Sequence, residues 1–376
     1  MKRLAFFAVL LALTACQRPP TTPALGLPAL PVAAGSTATI DLGRKLFMDR
    51  RLSRNNTMSC AMCHVPEQGF TATELGTALG VEGRTLRRNA PTLLNVAWVG
   101  QLFHDGRAES LEKQAWAPLL NPIEMGNPGI ADVVGKIRAM PDYAGRFEAA
   151  FGGAGPSEQT VGTALASYQR TLVAGDSRFD RWHYGNDKMA LSPSEQAGFA
   201  VFSGKGRCIA CHAVGERSAL FSDARFHNTG IGWQHRHGAG VDPAQRYRVQ
   251  LAPGVFTEVQ EGELASVSEP LQDDDGRFEV THNAAERWAY RTPSLRNVAM
   301  TGPYMHDGSL PTLEAVIAYY QQGGIDNPGK DRLLQPLQLS EDEQRNLAAF
   351  LRSLTGSNVA QLARTARAEA IDHPLP

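Results

Sequence analysis

The sequence has no surplus of charge of either sign, no spare cysteine, and no long apolar run beyond its first residues. Thirty-seven lysines and arginines face 38 acidic residues, a formal net charge of −1. No electrostatic footprint therefore suggests nucleic acid or an anionic membrane surface as a partner. The sustained apolar run, Leu4 to Leu13, is too short to span a bilayer as a stable helix. With Lys2-Arg3 before it and Thr14-Ala15-Cys16 after it, it reads as an export signal ending in a small-residue cleavage site. The Leu-Thr-Ala-Cys ending predicts a lipoprotein-type signal peptide over 1–16, with Cys16 acylated and tethering the chain to a membrane; an ordinary secretory signal is the alternative. Either reading puts the mature chain in the periplasm. Residues 17–35, rich in Pro, Ala and Thr, read as a flexible tether.

The five cysteines divide into Cys16 and two Cys-x-x-Cys-His sets, so none is left for a structural disulfide. The sets are Cys60-Ala61-Met62-Cys63-His64 and Cys208-Ile209-Ala210-Cys211-His212. A Cys-x-x-Cys pair alone suits a redox dithiol or half a zinc site. The histidine that follows each pair changes the reading. Two thioethers to the haem vinyl groups and a proximal imidazole from the next residue need this order and spacing, and export supplies the compartment for attachment. Two covalently bound c-type haems are expected, with His64 and His212 on the irons.

One motif falls in each half of the chain, and the surrounding sequence repeats. Arg88-Asn89-Ala90-Pro91-Thr92-Leu93-Leu94-Asn95-Val96-Ala97 returns as Arg291-Thr292-Pro293-Ser294-Leu295-Arg296-Asn297-Val298-Ala299. Each copy leads to a His-Asp-Gly, at His104-Asp105-Gly106 and His306-Asp307-Gly308. The expected fold is mainly α, two haem domains related by internal duplication, at 36–185 and 186–376, with long loops. Asp41 to Arg51 reads as an amphipathic helix presenting Leu42, Leu46 and Phe47 to a core. Ser192-Pro193-Ser194-Glu195 and Ser340-Glu341-Asp342-Glu343 read as capping boxes that open helices. Residues 213–290 read as long loops with short strands.

The chain resembles the bacterial di-haem cytochrome c peroxidase and MauG superfamily over nearly all its mature length. The likeness rests on Leu42 to Phe47, Cys60 to Phe70, Asn89 to Asn95, Asp105 to Ala108, Asn121-Pro122-Ile123-Glu124-Met125, Gly276-Arg277-Phe278, Thr292 to Gly308 and Leu351 to Gly356. The resemblance implies two cytochrome c-like domains, a calcium ion between them, and hydrogen peroxide as oxidant. In the classical peroxidases a histidine after the first motif blocks the N-terminal iron. Residues 71–88 contain no histidine, so this iron is expected to be open. Where those peroxidases supply a methionine to the second iron, this chain has Tyr320, as MauG-like (MbnH-type) proteins do; Met300 or Met305 is the alternative ligand, and Tyr319 points elsewhere on a helix. A phenolate stabilises higher oxidation states, whereas a thioether raises the potential.

The same resemblance makes Glu124 the acid–base group of peroxide cleavage, against the plain reading of a glutamate capping the next helix. Gln114 and Pro118 match positions that shape the pocket. His104 stands where the family usually has a tryptophan between the haems, and Trp98 or Trp116 is a candidate substitute relay. Asn89 with the carbonyls of Thr301 and Pro303 matches the calcium site. His183, His227, His235, His237, His282 and His373 receive no role. The expected function is oxidation of a periplasmic partner, possibly a protein side chain, by peroxide through high-valent iron. The alternatives are a peroxide-detoxifying peroxidase fed by a small cytochrome, and a non-enzymatic electron-transfer lipoprotein. Membrane contact is expected only through Cys16, and none with nucleic acid.

Overall fold

The computed structural model describes residues 24–237, 244, 246–252, 255–260, 262–263 and 273–368; the signal segment with Cys16, and His373, lie outside the described residues. The fold is mainly helical and rests on two crossed helix pairs. In the first, Thr37–Met48 packs on Glu158–Arg170; in the second, Pro193–Ser203 packs on Glu341–Arg352. The Thr37–Met48 helix starts where Ser36 Oγ accepts the Thr39 N–H, four residues before the expected Asp41. It stops at Met48 because Asp49 is extended, its carboxylate capping a separate 3₁₀ turn, Arg50–Leu52. Ser192 and Ser340 form the two capping boxes read from the sequence, with Pro193 at the first helical position.

Each pair crosses at a glycine. A Cβ on Gly43 would lie 1.9 Å from the Ala164 carbonyl oxygen, and one on Gly198 would lie 2.0 Å from that of Asn346. Around the first crossing Leu42, Leu46, Phe47, Val161, Leu165 and Tyr168 form a core. Around the second, Phe179, Phe202, Phe221, Phe350 and Leu351 do so, with Phe202 and Phe350 centroids 5.1 Å apart.

The turns after the crossings match at several positions. Asn95 and Asn297 both adopt the left-handed conformation (φ 62° and 63°). Their backbone N–H groups donate to Leu172 and Leu354, just past helices 158–170 and 341–352. Leu102 bridges Ala108 as Tyr304 bridges Leu310. Within 213–290 the described residues contain short antiparallel strands, Phe226–Asn228 with Ala289–Arg291 and Arg246–Ala252 with Val255–Gln260, and also a helix, Ile231–His237, that polar composition did not reveal.

Two segments depart from the expected domain plan. Residues 24–29, assigned to the tether, are laid against the body: Leu27 is buried, Gly26 accepts from Arg296 and from Ala219 N–H, and Ala29 accepts from Trp98. The anchor is Arg296, fully buried and paired through both terminal nitrogens with Asp180 at 2.9 Å. At the other end, helix Val359–Arg367 crosses back to the first half, where Val359 and Ala366 join the first core and Arg367 pairs with Glu67 at 3.0 Å. A division at 185/186 therefore leaves the first core without part of its own wall. No helix among the described residues is long and apolar enough to cross a membrane.

Gly43→Ala should destabilise the protein by about 1–3 kcal/mol, since backbone must move to admit the methyl group. Gly135→Ala, in helix Ile130–Ala139 with nothing within 4 Å of the added carbon, should stabilise it by up to about 1 kcal/mol. Denaturant unfolding of the two variants side by side checks the contrast.

Candidate active site

Each Cys-x-x-Cys-His set is a single turn closed by its histidine. His64 N–H donates to the Cys60 carbonyl and His212 N–H to that of Cys208, both at 2.9 Å. The ring of each is then aimed by a carbonyl from a residue in the left-handed region. His64 Nδ1 donates to Phe70 O at 3.1 Å and His212 Nδ1 to Phe221 O at 2.8 Å. Fixing Nδ1 as the protonated nitrogen leaves the Nε2 lone pair for a metal. Burial lowers the His64 pKa to about 4 and depresses that of His212, so both rings stay neutral. The four thiols are free, and burial pushes Cys60, Cys63 and Cys208 up to about 12.

Both sets line one largely apolar cavity of about 1080 Å³. We call the lining around each motif a lobe, and the residues through which the two halves of the chain meet on the cavity wall, Asn89, His104, Tyr290, Arg291 and His306, the waist. Thiols, a tautomer-fixed imidazole and an apolar chamber in each lobe are what a thioether-linked haem requires.

Gln114, Pro118 and Glu124 all line the first lobe with His64. Gln114 ends helix Leu111–Gln114 and Pro118 lies in helix Trp116–Leu120. The turn after it is clamped by Pro118 O, which accepts the Met125 N–H, and by Val81 N–H, which donates to Glu124 O at 2.9 Å. Gly80 permits that approach, because a Cβ there would sit 1.8 Å from Ile123 O. Burial raises the Glu124 pKa, opposed by the charge of Arg107 and by the Asn121 amide, which donates to Oε1 at 2.7 Å. Glu124 is thus a half-buried carboxyl on the chamber wall and not an exposed helix cap.

In the second lobe, helix Leu313–Gln321 presents Leu313, Ile317 and Tyr320 to the cavity with His212. Tyr319 turns away and donates its hydroxyl to Thr229 O. Burial pushes the Tyr320 phenol well above its usual range, so a phenolate there needs a cation against it, which ferric iron would be. Met305 also lines the cavity; Met300 packs instead against the first core.

At the waist the halves exchange backbone hydrogen bonds. Asn89 N–H donates to His306 O at 2.6 Å, and Arg291 N–H donates to His104 O at 2.8 Å. His104 Nε2 donates to Asn89 O at 2.9 Å, and burial holds its pKa down at about 3. It is a neutral hydrogen-bonded ring. The Asn89 amide donates to Pro303 O at 2.7 Å, and Thr301 lines the same space. A flipped amide would turn two oxygens toward that point, but no carboxylate is among the three expected calcium ligands. Trp98 and Trp116, the candidate relays, stand away from the waist. Neither lines the cavity, and their indoles donate to Ala29 O and Glu158 O at 3.1 Å.

Three arrangements at the site had no signal in the sequence because their partners are remote along the chain. Tyr290 stacks on His306, with centroids 3.6 Å apart and planes at 13°. Arg88 joins Asp105 and Asp274 at 2.6 Å each, beneath the waist. Burial opposes ionisation of both aspartates, yet Arg88 holds them below the usual carboxylate range. His227 is gripped by Asp331 at 2.6 Å through Nδ1 and by Asp223 at 2.9 Å through Nε2. Its pKa is raised to about 10, first by the Cys211 sulfur, then against burial by Asp331 and Asp223. The sulfur's share belongs to a free thiol and not to the thioether of an attached haem; the carboxylates remain.

Two Cys-x-x-Cys-His turns facing one chamber in a mainly helical fold define a di-haem c-type oxidoreductase. Comparison with known proteins agrees. Residues 37–188 match the family model described as di-haem cytochrome c peroxidase. The chain is 38% identical to methylamine utilization protein MauG of Methylorubrum extorquens, over 85% of this chain and 79% of that protein. It is also 38% identical to cytochrome-c peroxidase IdrP1 of Denitromonas iodatirespirans, over 94% and 92%. Among solved structures, a MauG-like protein associated with microbial copper homeostasis superposes with a TM-score of 0.68 at 31% identity, over 92% of this chain and 96% of that one. The chain belongs to the di-haem cytochrome c peroxidase/MauG family.

Arg88→Met should cost about 1–3 kcal/mol, because Asp274, 5% exposed, would lose its two short charged hydrogen bonds and be left with Arg87 at 3.9 Å, while Asp105, 2% exposed, would keep Arg107 at 2.9 Å. Both folded pKa values lie below the unfolded ones. Their contribution is therefore complete above about pH 4 and lost as pH falls through the depressed values. Thermal unfolding at pH 7 and at low pH should show a wide wild-type-to-variant gap that narrows on acidification.

Proposed function

We propose that the chain is a MauG-like enzyme: peroxide reacts at the haem on Cys60, Cys63 and His64, and a partner in the periplasm, such as a protein side chain, is oxidised. The observation that carries this reading is Tyr320, which lines the same cavity as His212, whose Nδ1 is already committed. Haem iron would supply the redox chemistry. The chain's own part begins at Glu124, whose ionised form takes a proton from bound peroxide and returns it to the departing oxygen. The Asn121 amide aims that carboxyl, Gln114 and Pro118 shape the space around it, and the apolar walls exclude water. Absence of histidine from 71–88 leaves the first lobe without the blocking ligand of the classical peroxidases.

The matched turns at Asn95 and Asn297 and the paired crossings at Gly43 and Gly198 support two domains descended from one by duplication. Asn89, Thr301 and Pro303 are the proposed calcium ligands at the waist, completed by water. Residues 1–16 are proposed as a lipoprotein signal anchoring the mature chain through Cys16. Cytochrome c peroxidase is the second reading, favoured by Met305 on the cavity wall and by the equal identity to a relative of that name.

Stoichiometric peroxide added to the diferric protein, followed optically and by Mössbauer spectroscopy, separates the two. The MauG-like reading expects both oxidising equivalents to persist in the absence of donor; rapid turnover with a reduced small cytochrome, only after prior reduction of one haem, overturns it. Glu124→Gln should slow the peroxide reaction by about 10²–10⁴-fold. Because the Glu124 pKa is raised, the wild-type rate should fall as pH drops through a value above that of an ordinary glutamate. Stopped-flow rates across pH should show that limb vanish in the variant.

A further inference from the structure

The geometry points to His227 as a fixed positive charge that sets the reduction potential of the haem on Cys208, Cys211 and His212. Each ring nitrogen faces a carboxylate oxygen, Asp331 Oδ2 at 2.6 Å and Asp223 Oδ2 at 2.9 Å. A neutral imidazole offers one N–H and one lone pair, and the lone pair would confront a carboxylate. Both nitrogens must therefore donate, so the ring is an imidazolium. Its position is specific: one nitrogen of His227, an Asp223 oxygen and Cys211 Sγ all lie within 4.8 Å of one another. In the holoprotein that sulfur is bonded to the porphyrin edge, so the charge sits against the macrocycle.

The clamp is built before the ring enters it. Asp223 Oδ1 accepts Arg225 N–H at 2.9 Å, and Asp331 Oδ1 accepts Leu333 N–H at 2.8 Å. Asp331 is fixed further by its own N–H, which donates to Asn228 O at 3.0 Å. Three chain segments thus meet at the rim of the second lobe, and the side chains of His227, Asp223 and Asp331 are 13%, 15% and 23% exposed, which limits solvent screening. With both ring nitrogens engaged, His227 is not a metal ligand.

Oxidising the haem adds a positive charge to the iron. A nearby imidazolium opposes that step and raises the potential, and the carboxylates lower it. His227 is accordingly a positioning residue for the electronics of the second haem. The role requires haem at the second motif, whichever partner is oxidised.

Potentiometry of the purified holoprotein, monitored by electron paramagnetic resonance to resolve the two irons, tests the role after haem has been counted as the pyridine complex. His227→Gln should lower the second midpoint, moving the ferric-to-ferrous ratio about tenfold, ~59 mV for one electron. Asp331→Asn should raise it, and His227→Lys should return it toward the wild-type value. A purely structural role would move Gln and Asn variants in the same direction. That result, or an unchanged midpoint in a fully loaded His227→Gln protein, overturns the proposal. A count of one haem in the wild-type protein overturns the second haem assignment itself.

Discussion

The exchange of backbone hydrogen bonds between Asn89 and His306, and between Arg291 and His104, governs how the two halves of the molecule face each other. These four residues occupy corresponding places in the two copies of the repeat. The bonds are local in space and fix register without depending on side-chain identity. A slip of either strand of the waist would carry Pro91 or Pro293 away from its proximal histidine, because the same segments also bring those carbonyls against His64 and His212. Relative placement of the halves and orientation of His64 and His212 are thus one constraint.

Within that symmetric frame the chemistry is asymmetric. The first lobe presents a carboxyl whose pKa burial raises, and the second presents a phenol that burial keeps protonated unless a cation lies against it. The frame comes from positions that repeat, such as Asn95 and Asn297. The division of labour comes from positions that do not, Glu124 and Tyr320. His104 and His306 repeat as residues yet differ in surroundings, since only His306 has an aromatic ring stacked on it.

What could be read from the chain was what short-range spacing encodes. The two haem motifs and the capping boxes at Ser192 and Ser340 each depend on a few consecutive residues; Tyr320 rests on the family resemblance, and helix geometry adds only that Tyr319, about 100° away, faces elsewhere. The first helix reads as starting at Asp41 because the apolar spacing of Leu42, Leu46 and Phe47 marks the buried face but not the cap, which is Ser36. The His227 clamp, the Arg88 pairings and the Tyr290 stack join segments far apart in sequence, and no local pattern marks them. Composition misled at residues 24–29, where Pro and Ala suggested slack but the buried Arg296–Asp180 pair holds the backbone down.

Helix Val359–Arg367 closes the first half from the far end of the chain. Synthesis on a ribosome delivers the first Cys-x-x-Cys-His turn long before the residues that finish its surroundings, so the wall this helix supplies is the last part of the first half to be made.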